Sequence, residues 1–205
     1  WDSGGGLSDG NHFAVAGNAA LQTIPAGKRM DQYGDSITFG SGPGATQSDV
    51  DTMRVAAALG FTGSTHGISG HTIAMAKTLL DDVLPRKTVT SADVAIIALG
   101  ENDLPTIDAT DKANYSDCID KLVAKGYGKI LCRGILPKHD GTDPKTAANA
   151  ELQSVVTAKA NPNVIWVPTS TWIGYGTDDG LHPNASGYGT LAGFAIPAYS
   201  SALGL

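Results

Sequence analysis

The sequence is poor in charged residues, and no run of basic residues occurs in it. Charged residues make up 17% of the 205-residue chain, and the formal net charge is −6. A protein that binds nucleic acid or an anionic membrane surface usually carries a basic patch. No apolar stretch approaches the roughly 20 residues that a membrane-spanning helix needs. We therefore expect neither nucleic acid as a partner nor insertion into a membrane.

Cysteine is also scarce. The two cysteines, Cys118 and Cys132, are too few for a disulfide scaffold, and no Cys/His cluster has zinc spacing. The two thiols either form one bridge, as in an extracellular protein, or stay free and buried. No metal or organic cofactor is expected.

The sequence begins with Trp1 and shows no basic and then apolar run at its start, so we expect no signal peptide within it. We interpret it as a mature form or a fragment of a longer protein. Its many glycines (26 in all) and few lysines suggest an extracellular, secreted or virion-associated protein. Residues 1–28 are predicted to be a Gly-rich arm or linker, and residues 29–205 a single domain.

Beyond residue 28, strand-like and helix-like segments alternate. This pattern predicts an α/β fold with about five parallel strands and helices on both faces of the sheet. The predicted strands are RMDQY, TGSTHGI, DVAIIALG, KILCRGIL and NVIWVP. A helix over residues 48–60 is expected to start at Ser48 or Asp49 and to end at Gly60. The helix over residues 111–126 shows one apolar face, formed by Tyr115, Cys118, Ile119, Leu122 and Val123.

The first predicted strand is unusually polar. Its sequence, KRMDQY, contains two basic residues, an aspartate and a glutamine. We expect this strand either to lie at an edge of the sheet or to be covered by the residues that precede it.

Polar loops follow four of the strands. In open parallel sheets, functional groups gather beyond the carboxyl ends of the strands. There the chain places GDSIT, GISGHT, GENDLPT and DDGLHPN.

These loops hold the groups that acyl transfer by serine requires. Ser36 offers a hydroxyl, His182 a base, and Asp179 a carboxylate three residues before the histidine. Gly70 and Asn102 offer donors for a developing oxyanion. Each loop taken alone also fits an ordinary turn, since Gly, Asp, Ser and Asn are common turn residues. Their occurrence after four separate strands favours the catalytic interpretation.

The motifs GDSIT, SGHT, GEND and DGLHPN together resemble the SGNH (GDSL) hydrolase family over residues 34–184. The resemblance implies a three-layer α/β/α sandwich with a flavodoxin-like sheet. It implies that Ser36 is the nucleophile, His182 the base and Asp179 its orienting acid. The N–H of Ser36, the N–H of Gly70 and the side chain of Asn102 would form the oxyanion hole.

Three other classes fit less well. The α/β-hydrolase elbow, G-x-S-x-G, would need glycine where Thr38 stands. The segment GSGPGA matches a dinucleotide-binding loop, but no acidic residue lies between Thr52 and Leu80 to hold a ribose. A glycan-binding module that has lost its activity would not need the serine, histidine and aspartate that are present.

The loops around Ser36 are rich in Gly, Ser, Thr and Asp, and they offer little apolar surface for a long acyl chain. We expect a short-chain esterase that acts on a small ester or deacetylates an O-acetylated carbohydrate. A lysophospholipase, another lipolytic esterase or a thioesterase is the alternative. The candidate substrate-binding residues are Asp35, His71, Trp172 and Tyr175, with the two aromatic rings available to stack on a sugar.

Overall fold

The computed structural model describes residues 27–42, 44–46, 48–143 and 145–205. Within these residues, strands and helices alternate as the sequence predicts. The strands are β1 (Arg29–Gly34), β2 (Thr62–Gly67), β3 (Val94–Ala98), β4 (Lys129–Arg133) and β5 (Val164–Val167). The helices are α1 (Ser36–Phe39), α2 (Asp51–Leu59), α3 (Ile73–Val83), α4 (Ala109–Lys125), α5 (Thr146–Ala158) and α6 (Ala185–Leu203).

The sheet separates two helical layers. Its order is β2-β1-β3-β4-β5, and every neighbouring pair is parallel. One apolar core lies between the sheet and α3, α4 and α5, and a second lies between the sheet and α1, α2 and α6. This arrangement confirms the predicted three-layer α/β/α fold with five parallel strands.

The local sequence of helix α4 determines where the helix begins and ends and which face it buries. It begins at a capping box between Asp108 and Asp111 and ends at Gly126, which adopts a left-handed conformation. Four of the five residues predicted for its apolar face are fully buried, namely Tyr115, Cys118, Ile119 and Leu122. The fifth, Val123, is 38% exposed, because one step beyond Leu122 turns its side chain about 100° away from the core.

Helix α2 begins later than expected. Its N-cap is Val50 rather than Ser48 or Asp49, and Val50 makes no side-chain capping bond. The Asp49 carboxylate instead accepts hydrogen bonds from Thr46 and pairs with Arg54. The predicted end of the helix is confirmed, since Gly60 caps it with a left-handed φ of 76°.

Strand β1 lies in the interior of the sheet, so the expectation that it lies at an edge is wrong. It pairs with β2 on one side and with β3 on the other. Its polar side chains are tolerated there because residues far along the chain satisfy them. Asp31 is buried and accepts a hydrogen bond from Tyr127 at 2.5 Å and one from Ser64 at 2.8 Å. The Lys87 ammonium lies 2.9 Å from the same carboxylate.

Gln32 points to the opposite face of β1 from Asp31, and it connects the strand to helices α1 and α2. Gln32 is fully buried, donates to the Thr38 hydroxyl of α1 at 2.8 Å and accepts from the Thr52 hydroxyl of α2. A buried amide with both ends bonded avoids the free-energy cost of an unpaired polar group. Gln32 therefore helps to fix α1 and α2 relative to the sheet.

Both cysteines are free and buried, so the alternative of a disulfide bridge is wrong. Cys118 lies on α4 and Cys132 lies in β4. Burial raises the pKa of each thiol to about 12. Both cysteines therefore behave as small apolar core residues.

Most of the predicted arm lies outside the described residues, because residues 1–26 are not among them. In the part of the chain that is described, no helix is long and apolar enough to cross a membrane. The same residues contain no group of three His, Cys, Asp or Glu side chains arranged to hold a metal ion.

Candidate active site

The loops after β1 and β2 meet at the carboxyl edge of the sheet. The N–H of Ile68, just after β2, donates to the carbonyl of Gly34 at the end of β1. Ser36 is the first residue of α1 and is 7% exposed. The Asp35 side chain caps this short helix by accepting from the N–H of Ile37 at 3.0 Å. The chain thus presents Ser36 at a tight turn from strand to helix.

Gly34 is required at this turn because there is no room for a side chain. A Cβ atom at Gly34 would lie 2.1 Å from the Thr38 hydroxyl and 2.6 Å from the carbonyl of Ala98. The sequence indicates a glycine that helps the backbone to turn. In the structure, its role is to let β1, β3 and α1 approach each other closely.

Ser36, His182 and Asp179 are connected by hydrogen bonds. The Nε2 atom of His182 lies 2.9 Å from the Ser36 hydroxyl, and its Nδ1 atom lies 2.7 Å from Asp179 Oδ2. The serine and the histidine are 146 residues apart in the chain. The fold therefore brings together the three residues that the sequence singles out for acyl transfer.

The Asp179 carboxylate is held in place by its own loop. Its Oδ1 atom accepts from the N–H groups of Leu181 and His182 at 2.9 and 2.7 Å, and from the Thr177 hydroxyl at 3.1 Å. The hydrogen bond to the His182 ring, followed by these backbone bonds, holds the pKa of Asp179 well below its usual range. The neighbouring Asp178 is exposed and accepts from Asn184 instead.

A close backbone contact fixes the histidine loop against the loop after α1. Gly42 is buried, and a Cβ atom there would lie 1.7 Å from the carbonyl of Pro183. On the other side of His182, the hydroxyl of Tyr188 on α6 donates to the carbonyl of Ile37 at 2.7 Å. Pro183 and Ile37, the chain neighbours of His182 and Ser36, are therefore each held by the segment that carries the other catalytic residue.

Gly70 and Asn102 belong to two loops that are joined by a hydrogen bond. The Asn102 side-chain NH2 donates to the carbonyl of His71 at 3.0 Å, which leaves its second N–H for another acceptor. Gly70 precedes His71, is exposed and has a left-handed φ of 78°. The structure thus places Gly70 and Asn102 on adjoining loops beyond β2 and β3.

Asp103 is a structural part of this region that we did not single out from the sequence. Both of its carboxylate oxygens accept from the N–H of Ile73 at the start of α3, at 3.2 and 3.1 Å. Partial burial, with nearby carboxylates as a smaller cause, raises its pKa to about 6. Its position inside the GEND motif is the sequence signal that could have identified it.

Of the four candidate substrate-binding residues, His71 alone remains on an accessible loop. Asp35 is 3% exposed and caps α1, and burial raises its pKa. Trp172 is 3% exposed and packs against Phe194 of α6, so it has no face free for a sugar. Tyr175 is also 3% exposed and donates to the carbonyl of Pro137. The expectation of stacking on Trp172 is therefore wrong, whereas that for Tyr175, which lines a small cavity, stays a prediction.

A small cavity of about 30 Å³ adjoins these loops. Ile37, Glu101 and Leu181 line it, and they are the chain neighbours of Ser36, Asn102 and His182. Lys145, from the loop before α5, also lines it, and its ammonium lies 3.7 Å from Glu101. Burial raises the pKa of Glu101, although the Lys145 charge acts against this change. No sequence pattern pointed to Lys145.

This geometry suits chemistry at a carbonyl carbon. An imidazole that accepts the serine proton, with a carboxylate on its other nitrogen, makes the hydroxyl a nucleophile. Donors on a neighbouring loop can stabilise the oxyanion that such an attack produces.

Comparison with known proteins adds a family and a fold. Residues 33–189 match the GDSL-like lipase/acylhydrolase family, and this span includes Ser36, Asn102 and His182. None of the curated proteins compared with the sequence matches it.

Several solved structures share the fold at low sequence identity. A lipolytic protein of the G-D-S-L family from Veillonella parvula superposes with a TM-score of 0.65 at 15% identity, covering 84% of this chain and 98% of that one. A carbohydrate acetylesterase from Sinorhizobium meliloti gives 0.66 at 18% identity, covering 85% and 99%. A family two carbohydrate esterase from Cellvibrio japonicus gives 0.72 at 16% identity, covering 86% of this chain and 61% of that one.

Proposed function

Because the chain belongs to the GDSL-like lipase/acylhydrolase family and is an ester hydrolase, we propose that it works through Ser36 as a serine esterase. The observation that carries the proposal is the unbroken series of hydrogen bonds from Asp179 through His182 to Ser36, with distances of 2.7 and 2.9 Å.

In the proposed reaction, the Ser36 hydroxyl attacks the ester carbonyl and His182 Nε2 takes its proton. Asp179 holds the Nδ1–H tautomer and stabilises the imidazolium that forms. His182 then gives the proton to the leaving alcohol, and an acyl-enzyme remains on Ser36. A water molecule, activated by the same imidazole, releases the acid and restores the serine.

The oxyanion would be stabilised by the N–H groups of Ser36 and Gly70 and by the Asn102 side chain. The hydrogen bond from Asn102 to the His71 carbonyl supports this role, because it orients the amide and leaves one N–H free. Asp103 supports it as well by holding the N–H of Ile73 on the segment that follows Gly70.

We further propose that the substrate is a short-chain ester, and most specifically an O-acetylated carbohydrate. The charged lining of the cavity beside the Ser36 loop supports a polar carrier. Two proteins of similar fold are carbohydrate esterases, which supports the carrier. With this substrate we propose an extracellular or virion-associated setting, in keeping with the Gly-rich, Lys-poor composition.

A lipolytic esterase or thioesterase is the second candidate, and exposed apolar side chains favour it. Phe39, three residues after Ser36, is 47% exposed, and Ile68, just after β2, is 41% exposed. These side chains could contact an acyl chain, since each buried CH2 group contributes about 0.8 kcal/mol.

The nucleophile is tested by changing Ser36 to alanine. We expect a folded protein with ester hydrolysis lower by several orders of magnitude, because removal of a serine nucleophile elsewhere lowers kcat by about 10⁶. A serine-directed phosphonate should label the wild-type protein and leave Ser36→Ala unlabelled. Activity of the variant within tenfold of wild type would remove Ser36 from this role.

The substrate is tested with p-nitrophenyl esters of increasing chain length, followed by an acetylated glycan such as acetylated xylan. We expect a higher kcat/KM for acetate than for octanoate, and release of acetate from the polymer. A preference for chains of eight or more carbons would favour the lipolytic alternative and contradict the carbohydrate proposal.

A further inference from the structure

The cavity beside the Ser36 loop is lined by one cationic and one anionic side chain, which do not form a direct hydrogen bond with each other. The Lys145 ammonium lies 3.7 Å from Glu101 Oε1, beyond ordinary hydrogen-bond distance, and 2.7 Å from Asp143 Oδ2. The side chains of Lys145 and Glu101 are only 17% and 18% exposed. Two largely buried charges with a gap between them leave hydrogen-bonding capacity directed into the cavity.

Lys145 is held in an unfavourable backbone conformation. Its φ is 53°, in the left-handed region that few residues other than glycine adopt. The residue nevertheless anchors the start of α5, since its carbonyl accepts from Asn149 and its N–H donates to Asp143. Backbone strain of this kind is often found where a side chain must be aimed at a binding site.

The cavity lies between the three segments that carry the proposed catalytic groups. Ile37 follows Ser36, Glu101 precedes Asn102 and Leu181 precedes His182, and all three line it. The cavity therefore adjoins the loops that carry Ser36, Asn102 and His182.

The size of the cavity limits what can enter it. Its volume of about 30 Å³ has room for a small polar group such as a hydroxyl. A carboxylate only accepts hydrogen bonds and an ammonium only donates them. A hydroxyl does both, so one hydroxyl placed between Glu101 and Lys145 would satisfy both charges. An apolar group there would leave the Glu101 carboxylate with no donor among the described residues closer than Lys145 at 3.7 Å, and sites that bind a hydroxyl through a buried polar group strongly reject analogues that lack it.

We propose that Glu101 and Lys145 form a hydroxyl-binding subsite that selects esters whose alcohol part is a polyol, with a sugar hydroxyl donating to Glu101 and accepting from Lys145. This inference rests on the proposed carbohydrate esterase activity and assigns the residues that determine its specificity.

The test compares two substrates in two variants. Glu101→Gln removes the negative charge at nearly constant shape, and Lys145→Met removes the donor at similar length. For each protein, kcat/KM is measured on acetylated xylan and on p-nitrophenyl acetate, whose alcohol part has no sugar hydroxyl. We expect the ratio of the two values to fall at least about fivefold in each variant, since a hydrogen bond to a charged group typically contributes more than that. The matched control is Lys112→Met, because Lys112 pairs with Glu151 at 2.7 Å and neither residue lines the cavity. The ratio for this variant should stay at the wild-type value.

The possible outcomes separate this inference from the proposed function. If the wild-type protein cleaves p-nitrophenyl acetate but releases no acetate from acetylated xylan, both the carbohydrate substrate and the subsite are refuted. If the glycan is deacetylated and the ratio falls less than fivefold in either folded variant, the subsite alone is refuted. Equal losses on both substrates also refute it, because they indicate general damage to the neighbouring loops. Thermal melting of each variant establishes that it is folded, and either folded variant suffices for the decision.

Discussion

Replacing Asp179 by asparagine should abolish most of the activity, for a reason that the hydrogen bonds of its loop make specific. Asp179 Oδ1 accepts from the N–H groups of Leu181 and His182, and Oδ2 faces His182 Nδ1 at 2.7 Å. An asparagine at this position has one oxygen and one NH2 group. If the NH2 faced the two backbone N–H groups, donors would oppose donors, so the oxygen must stay there and the NH2 must face the imidazole.

That orientation selects the wrong tautomer of His182. The new NH2 donates to Nδ1, so the ring proton moves to Nε2, the nitrogen that lies 2.9 Å from the Ser36 hydroxyl. A protonated Nε2 cannot accept the serine proton. The corresponding change in a serine protease lowers kcat by about 10⁴. The Asp179 side chain is 44% exposed, so water competes for these contacts, and we expect a loss of about 10³.

The measurement is kcat on p-nitrophenyl acetate, with circular dichroism to verify the fold. Asp178→Asn is the matched control, since Asp178 is exposed and accepts only from Asn184 among the described contacts. We expect its kcat to stay within about threefold of wild type, as for most surface substitutions. An Asp179→Asn protein within tenfold of wild type, or a larger loss in Asp178→Asn, would refute the proposed orientation of His182.

Three further predictions concern stability and the core. Gly34→Ala should lower the free energy of unfolding by about 1–3 kcal/mol in urea titrations, because its Cβ would meet a hydroxyl and a carbonyl within 2.6 Å. The control is Gly193→Ala, on the exposed side of α6, where a Cβ atom meets open space. It should raise the free energy of unfolding by up to about 1 kcal/mol. Equal effects of the two substitutions would contradict the close packing at Gly34. Because Cys118 and Cys132 are free, a thiol titration in denaturant without reductant should count two thiols, and a count of zero would contradict the structure. The pKa of Asp103 is raised to about 6 from 3.8, so the folded state takes up a proton at a higher pH than the unfolded state does. Protonation of Asp103 therefore adds to the free energy of unfolding as pH falls from about 6 to 4. This contribution is lost as pH rises through about 6. Unfolding free energies at several pH values should show that contribution in the wild type and not in Asp103→Asn; identical pH profiles would contradict it.

The features that could be predicted from the sequence are those that depend on neighbouring residues. The apolar spacing of α4, the glycine that ends α2 and the alternation of strands and helices all follow from local patterns. The contact between Asp179 and His182 is local as well, since three residues separate them. Ser36 could be placed near them through the rule that loops beyond parallel strands converge, and through the resemblance of the four motifs to a known family.

The features that could not be predicted depend on partners that are distant in the chain. The polar strand β1 is interior because Tyr127 and Lys87 satisfy Asp31, and neither partner is recognisable as such in the sequence. Trp172 is buried because α6 packs over it, whereas its position near the histidine loop suggested an exposed ring. Lys145 reaches the cavity through a backbone conformation that its sequence context does not indicate.

The buried polar side chains of β1 also determine which alignment of this strand can be tolerated. A slip by one residue would exchange the two faces of the strand. Asp31 would then lose Tyr127 and Lys87, and Gln32 would lose the hydroxyls that flank it. An apolar strand could slip and still be buried, but this one would leave buried groups without partners. For protein engineering, the consequence is that β1 and its partners form one design unit. Changes to Asp31 or Gln32 alone will destabilise the protein by leaving their partners unpaired, whereas variation together with those partners keeps the alignment.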